Sequence, residues 1–267
     1  MSTDEHSTPP LDIPGITNLR DVGGQRTVEG RTVRSGQLYR SGQLDHADEH
    51  TAMLEDLGLA VVYDLRTLGE ATHLPDRLPP GVDVVHLDVL AGAESSLAAH
   101  LEDLFTDPIA ADAVLRSGDI NAHYLSTYRG LVTLASAQDA YRSLYRDLAA
   151  RSDVALFHCT AGKDRTGWAA AALLTLLGVP YDDVLADYLL SSRPVVESFR
   201  PIIDQFAAAG GDPELLEPVF MVDRSYLDAA MDEVQLTFGS IEGYFGDGLG
   251  LDGDEVAALR ERYLAPA

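Results

Sequence analysis

The sequence predicts an α/β fold in which a mainly parallel central sheet is flanked by helices. Three short apolar runs, at residues 59–65, 82–89 and 154–158, have the continuous hydrophobicity of strands buried on both faces. Helical patterns separate and follow these runs, and an alternation of strands with helices is typical of parallel sheets. With 267 residues, 46% of them hydrophobic, the chain is long enough to bury the core of one such domain.

The first part of the chain divides into a tail and a glycine-rich segment. Residues 1–12 are polar and include two adjacent prolines, so we expect a flexible tail followed by a single domain over 13–267. Residues 31–34 and 37–40 alternate in polarity between turns. These two short segments are expected to form edge strands.

Helices are expected along most of the remaining chain. The helical patterns cover residues 45–57, 138–150, 168–177, 181–191, 195–209, 223–238 and 253–264. The pattern at 168–177 is apolar on every side, which indicates a central helix. The stretch 91–130 is broken at Pro108 and Gly118, and we expect it to form surface helices near the functional site.

Composition and charge exclude several classes of function. The chain has 43 acidic and 19 basic residues, a formal net charge of −24, so we expect neither nucleic-acid binding nor stable membrane association. Its single cysteine cannot form an internal disulfide. No apolar run is long enough to cross a bilayer, and the N-terminal segment lacks signal-peptide features. A cytoplasmic location is expected, with export that needs no cleavable signal as the alternative.

The rarest residue types lie together in one segment. Cys159, Lys163 and Trp168 are the only cysteine, lysine and tryptophan, and they fall within ten positions. The surrounding sequence, VALFHCTAGKDRTGWAAAALLTLL, covers residues 154–177. It predicts a strand, a loop over 159–165 and a helix, and the cluster of rare residues indicates a chemical role for this loop.

The loop has the C-x5-R spacing and the composition of a phosphate-binding site. A loop that enters a helix N-terminus directs several backbone N–H groups to one point, where the helix dipole also favours an anion. Gly162 supplies the backbone freedom that such a nest needs, and Arg165 offers a planar fork for two phosphate oxygens. Cys159 in this positive field is expected to be a thiolate and an in-line nucleophile at phosphorus. Thr166 can donate its hydroxyl to the thiolate, and Lys163 is expected to add a charge at the pocket rim.

The segment HCTAGKDRTG resembles the phosphate loop of the cysteine-dependent phosphatases. Its ending is similar to that of the atypical bacterial tyrosine phosphatases of the mycobacterial protein tyrosine phosphatase B type. The resemblance extends to NLRD at 18–21, LYRS at 38–41, YDLR at 63–66, ADYL at 186–189 and a stretch at 226–244, and it covers roughly residues 14–264. It implies a protein-tyrosine-phosphatase-like fold with a helical lid, no metal or cofactor, and phosphotyrosine proteins as substrates.

The resemblance also assigns roles within the loop. Cys159 corresponds to the nucleophile and Arg165 to the phosphate clamp. The residues expected to bind the phosphate are Thr160, Ala161, Gly162, Lys163, Arg165 and Thr166. Many such phosphatases use an aspartate on a separate loop as general acid, near residues 88–94 here, but the family's Pro-Asp pair is replaced by Leu90-Ala91. Asp164 inside the loop is therefore the expected general acid, and Asp88 is the alternative.

Other residues near the loop are expected to support it without taking part in the chemistry. A buried ion-pair network behind the loop is expected from Arg20, Asp21, Arg40, Asp64 and Arg66. His158 is expected to hydrogen-bond the loop, and Trp168 to pack in the core.

Three alternative functions stay open. The same chemistry could act on phosphoinositides, or on phosphoserine and phosphothreonine. A phosphate-binding module without turnover is less favoured, because Cys159, Asp164, Arg165 and Thr166 are all present. Sulfur or arsenate chemistry on a similar loop is disfavoured, because a single cysteine leaves no resolving thiol.

Overall fold

The structure, a computed structural model, describes residues 11, 13–47, 51–92, 116 and 120–266. The predicted tail and much of the predicted surface helices at 91–130 lie outside the described residues. The division into a tail and a single domain therefore stays a prediction.

Five strands form one sheet: β1 (Arg20–Asp21), β2 (Leu38–Ser41), β3 (Leu59–Asp64), β4 (Asp83–His86) and β5 (Val154–His158). Their order across the sheet is β1-β2-β5-β3-β4. Strand β1 is antiparallel to β2, and all other neighbours are parallel. The carboxyl ends of β2, β5 and β3 therefore meet at one edge, which is where open α/β sheets bind ligands. The predicted mainly parallel sheet is confirmed.

The helices of the described residues are α1 (Thr51–Asp56), α2 (Leu68–His73), α3 (Ile120–Thr133), α4 (Ala135–Ala150), α5 (Asp164–Leu176), α6 (Tyr181–Leu189), α7 (Ser192–Ala208), α8 (Pro213–Phe220), α9 (Arg224–Phe238), α10 (Ile241–Gly243) and α11 (Gly253–Tyr263). A π-helical turn, Tyr244–Gly248, follows α10. Helix α5 is buried along almost its whole length, as predicted. Trp168 packs in the core, with its indole N–H donating to the Tyr244 hydroxyl at 3.2 Å. None of these helices combines the length and hydrophobicity that crossing a membrane requires.

Three strand predictions were wrong. Residues 37–40 were expected at an edge, but β2 lies between β1 and β5 and is fully buried. Strand β4 was expected to be buried on both faces, but it lies at the end of the strand order and Val84 is 52% exposed. Residues 31–34 contribute only isolated bridges. A strand's own pattern does not fix its place, because its neighbours come from distant parts of the chain.

Helices α2 and α8 were not predicted. Helix α2 begins after Thr67, whose hydroxyl accepts from the Glu70 N–H while the Glu70 carboxylate accepts from the Thr67 N–H. This capping box has the sequence pattern Thr-x-x-Glu, which was the available signal. Helix α8 begins with Pro213 after the N-cap Asp212, another recognisable start.

Helices α7 and α8 form a hairpin with its own small apolar core. That core consists of Val195, Ile203, Phe206, Leu216, Val219 and Phe220, and it is separate from the main core of the domain. Ala161 of the predicted phosphate loop packs against it. The hairpin thus lies beside the loop where a helical lid was expected, and its movement as a lid stays a prediction.

Candidate active site

The predicted loop lies at the carboxyl end of the central strand. Cys159 follows β5 directly and is only 2% exposed, and α5 begins at Asp164. Arg165 is therefore in the first turn of α5, and the loop ends at the positive end of the helix dipole. The strand, loop and helix predicted from the sequence are confirmed.

Gly162 has a backbone conformation that the loop requires. Its φ is +65°, and a Cβ atom there would come within 2.3 Å of the Ser41 carbonyl oxygen. The Asn18 side-chain amide donates to the Gly162 carbonyl at 2.8 Å, and the Arg40 guanidinium donates to it at 3.0 Å. A larger residue at 162 would have to displace β2, so this position requires glycine.

A buried ion triad supports the loop from behind. Arg20 Nε and Arg40 Nη1 each lie 2.8 Å from a different carboxylate oxygen of Asp187. Burial by itself raises the pKa of Asp187, but the two guanidiniums outweigh it and hold that pKa below its ordinary value. Since Arg40 also bonds the Gly162 carbonyl, the triad connects α6 to the loop.

A second buried cluster lies at the start of the loop. The Arg66 guanidinium donates to Asp64 at 2.8 Å and to Asp76 at 2.9 Å. His158 Nε2 lies 2.9 Å from the other Asp76 oxygen, and its Nδ1 lies 3.3 Å from the Cys159 carbonyl oxygen. Asp64, Asp76 and His158 are close enough to ligate a metal, but the positively charged Arg66 already bridges the two carboxylates. This cluster is therefore a scaffold, and His158 supports the loop as predicted.

The buried ion pairs expected behind the loop are confirmed for Arg20, Arg40, Asp64 and Arg66, but these residues do not form one network. The arginines and aspartates belong to two separate clusters, one centred on Asp187 and one on Arg66. Asp21 belongs to neither, because its carboxylate accepts hydrogen bonds from the backbone N–H groups of Gly23 and Gly36 at 2.7 and 2.6 Å. The roles of Asp187 and Asp76 were missed: Asp187 lies 167 residues from Arg20, and Asp76, although ten residues from Arg66, has no local pattern that marks it as a partner.

Glu70 is the most important residue that the sequence did not predict. Arg165 Nη1 lies 2.7 Å from one carboxylate oxygen of Glu70, and Nη2 lies 2.8 Å from the other. The Thr160 hydroxyl also donates to this carboxylate. Burial raises the pKa of Glu70, but Arg165 outweighs it and holds that pKa far below its ordinary value. A guanidinium has five N–H groups, so this pair fixes the plane of Arg165 and leaves other donors for an anion.

Lys163 does not lie at the pocket rim, and that prediction was wrong. Its side chain is buried, and its ammonium donates to the carbonyl oxygens of Val219 at 2.6 Å and Met221 at 3.1 Å. It also lies 4.6 Å from the centre of the Tyr124 ring. Carbonyl groups at the end of α8 satisfy this charge, so the side chain joins the loop to the α7–α8 hairpin and does not reach towards a ligand.

The two general-acid candidates have different surroundings. One oxygen of Asp164 accepts from the Tyr128 hydroxyl at 2.9 Å, and the side chain is 26% exposed in the first turn of α5. Both oxygens of Asp88 accept from backbone N–H groups, those of Leu68 and Leu90, each at 3.1 Å. Asp88 thus holds the first N–H group of α2 and the turn at 88–90, whereas Asp164 lies directly at the end of the phosphate loop, where α5 begins.

The remaining predicted residues lie in or beside the loop. The Thr166 hydroxyl is buried and, among the described residues, has no hydrogen-bond partner, so its expected bond to the Cys159 thiolate stays a prediction. Thr160 is held by Glu70 and by a backbone hydrogen bond from Gln43 to its carbonyl.

Acid is expected to destabilise the fold through these carboxylates. Asp64, Glu70 and Asp187 each have a folded-state pKa below the ordinary value, because their arginine partners outweigh burial. They therefore stabilise the folded state above the unfolded pKa of about 4, and this contribution is lost as pH falls through the folded pKa values. Urea unfolding at each pH should show a free energy of unfolding that declines below about pH 4.5. The free energy of unfolding of Glu70→Gln should decline less steeply as the pH falls. A decline as steep as that of the unaltered chain would contradict this explanation.

Comparisons with known proteins show which family the chain is related to. A model described as the tyrosine phosphatase family matches residues 11–265. "Putative tyrosine-protein phosphatase" of Cupriavidus necator is 35% identical over 214 residues, covering 79% of this chain and 72% of that protein. "Triple specificity protein phosphatase PtpB" of Mycobacterium tuberculosis is 32% identical over 261 residues, covering 88% of this chain and 92% of that protein.

A solved structure, that of TpbA from P. aeruginosa, covers 85% of this chain and 96% of its own at 18% identity and a TM-score of 0.33. The match to the family model extends over nearly the whole sequence, as the resemblance of the loop and the flanking segments predicted. The chain belongs to the tyrosine phosphatase family.

Proposed function

We propose that this phosphatase hydrolyses phosphotyrosine in proteins through a covalent phosphocysteine at Cys159. The observation that carries the proposal is the position of this sulfur. It lies at the end of β5, at the start of a loop that leads into the N-terminus of α5, whose first turn includes Arg165. Such a loop concentrates N–H donors and positive charge next to the sulfur, which favours a bound phosphate dianion at this position.

The reaction follows from these positions. Backbone N–H groups of residues 160–165 and the guanidinium of Arg165 hold the phosphoryl oxygens. The Cys159 sulfur attacks phosphorus in line, the bond from phosphorus to the tyrosine oxygen breaks, and the leaving oxygen takes a proton from Asp164. Water then attacks the phosphocysteine, with Asp164 accepting its proton, and Thr166 donates to the sulfur as it leaves.

Substrate selection is the second part of the proposal. The net charge of −24 disfavours docking on an anionic membrane, so we favour phosphotyrosine proteins over phosphoinositides. The alternative is a broader substrate specificity, and it is supported by the name of the mycobacterial relative, a triple specificity protein phosphatase. Rates on a phosphotyrosine peptide, a phosphoserine peptide and a phosphoinositide at two salt concentrations distinguish these possibilities. A phosphoinositide rate exceeding both peptide rates would favour the lipid substrate.

The same charge disfavours nucleic acids as partners. The proposed mechanism needs a reduced thiol, so we propose a cytoplasmic location.

The general acid is tested by comparing Asp164→Asn with Asp88→Asn. Loss of a general acid slows a poor leaving group far more than a good one, because only the poor one needs a proton in the transition state. Asp164→Asn is expected to lower kcat/KM for phenyl phosphate by about a hundredfold, with a much smaller loss for p-nitrophenyl phosphate. Asp88→Asn should lower both rates equally or not at all. A selective loss on phenyl phosphate in Asp88→Asn, without one in Asp164→Asn, would assign the role of general acid to Asp88.

A further inference from the structure

Tyr128 on α3 is held in one orientation by its surroundings. The side chain is fully buried. Its ring meets the edge of Tyr188 at a centroid distance of 6.0 Å and an interplanar angle of 85°, and it packs against Tyr226 at 5.7 Å. A ring enclosed by two other rings cannot swing away, so the position of its hydroxyl is fixed as well.

The Tyr128 hydroxyl accepts one hydrogen bond and donates another. The Tyr188 hydroxyl donates to the Tyr128 oxygen at 2.6 Å, and the Tyr128 hydroxyl donates to one carboxylate oxygen of Asp164, Oδ1, at 2.9 Å. Burial, followed by the nearby Asp164 charge, raises the pKa of both phenols well above 10. Both tyrosines therefore keep their protons at neutral pH and act as donors.

The two carboxylate oxygens of Asp164 therefore differ in the groups that they contact. Oδ1 is engaged by Tyr128, whereas Oδ2 lies 3.6 Å from the Lys163 ammonium, which bonds Val219 and Met221 more closely. A proton on the carboxyl group is therefore favoured on Oδ2, because Oδ1 already accepts a hydrogen bond.

We propose that Tyr128, supported by Tyr188, is a positioning residue that orients Asp164 and makes Oδ2 the oxygen that exchanges protons with the leaving group. This inference rests on the proposed role of Asp164 as general acid. Tyr128 acts through Asp164 and does not itself contact the substrate.

The test compares two aryl leaving groups, phenolate and p-nitrophenolate, that differ in how much they need a proton in the transition state. Tyr128→Phe removes the hydroxyl and keeps the ring. It is expected to lower kcat/KM about tenfold for phenyl phosphate and less than about twofold for p-nitrophenyl phosphate, since a displaced acid affects only the leaving group that needs its proton. A merely structural role would lower both rates by the same factor.

Tyr145→Phe is the matched control. Tyr145 is also fully buried, and its hydroxyl donates to a backbone carbonyl of α5, that of Ala169, at 2.8 Å. This hydroxyl bonds Ala169, whereas the hydroxyl that bonds Asp164 is that of Tyr128, so loss of the Tyr145 hydroxyl should leave the ratio of the two rates unchanged.

Tyr128→Phe also leaves the Tyr188 hydroxyl without its acceptor, which can lower the thermal midpoint. The double variant Tyr128→Phe with Tyr188→Phe removes both hydroxyls and should show the same selective loss at a higher midpoint. Equal losses on both substrates, or no loss, in the double variant would overturn the inference.

The role of Asp164 as general acid and the positioning role of Tyr128 can be disproved separately. If Asp164→Asn does not affect phenyl phosphate selectively, the general-acid assignment fails and the role of Tyr128 fails with it. If Asp164→Asn shows the selective loss and the tyrosine variants do not, only the inference about Tyr128 is overturned.

Discussion

Replacing Cys159 with serine is expected to lower kcat for p-nitrophenyl phosphate by at least about 10⁴-fold. Serine has nearly the same shape, so the loop should keep its conformation and its capacity to bind phosphate. The hydroxyl, however, is not ionised at neutral pH and cannot attack phosphorus as a thiolate does. Initial rates across a range of substrate concentrations measure the loss.

Binding provides the control for this variant. Inorganic phosphate should raise the thermal midpoint of Cys159→Ser about as much as that of the unaltered chain, because the donors of the loop are retained. The same variant, used to trap partners from a lysate, should retain phosphotyrosine proteins. Full turnover by Cys159→Ala would rule out the phosphocysteine mechanism.

Arg165→Lys is expected to lower kcat/KM for p-nitrophenyl phosphate by about 10²–10³-fold, the range for removing a donor that stabilises transition-state charge. A lysine keeps the positive charge but loses the planar fork. It cannot bond both oxygens of Glu70 and also hold two phosphoryl oxygens, so the positioning seen in the Arg165–Glu70 pair disappears.

Arg200→Lys is the matched control for Arg165→Lys. Arg200 also pairs with a glutamate, Glu217, at 3.0 Å, but these two side chains on the α7–α8 hairpin are 50% and 40% exposed. An exposed pair of this kind contributes little, so activity and stability should hardly change. A loss below about tenfold in Arg165→Lys would show that charge alone is sufficient and would contradict the role given to the fork.

Several local predictions agree with the structure because they depend on neighbouring residues. The loop that begins at Cys159 follows a strand and leads into a helix that starts at Asp164, and Gly162, where backbone freedom was expected, has a positive φ. The helix predicted at 138–150 lies within α4, and its Tyr141, Leu144, Tyr145 and Leu148 face the core, since helical periodicity fixes which side of a helix is apolar. Both patterns depend only on residues within a short stretch of the sequence.

The position of each strand in the sheet could not be predicted from neighbouring residues. Segment 37–40 was expected at an edge because it is short and alternates in polarity between turns, but its charged Arg40 is buried and pairs with Asp187, 147 residues away. A buried charge is tolerated only with such a partner, and no local pattern identifies it.

The sequence by itself determined the family, the parallel sheet and the loop with its cysteine, glycine and arginine, because these features are encoded in spacings of a few residues. Only the tertiary structure decided which side chains complete the loop. Glu70 reaches Arg165 across 95 positions, and Lys163 turns to the Val219 carbonyl 56 positions away instead of to a ligand. Such contacts depend on how helices pack on the sheet, and a buried charge takes the partner that this packing brings near.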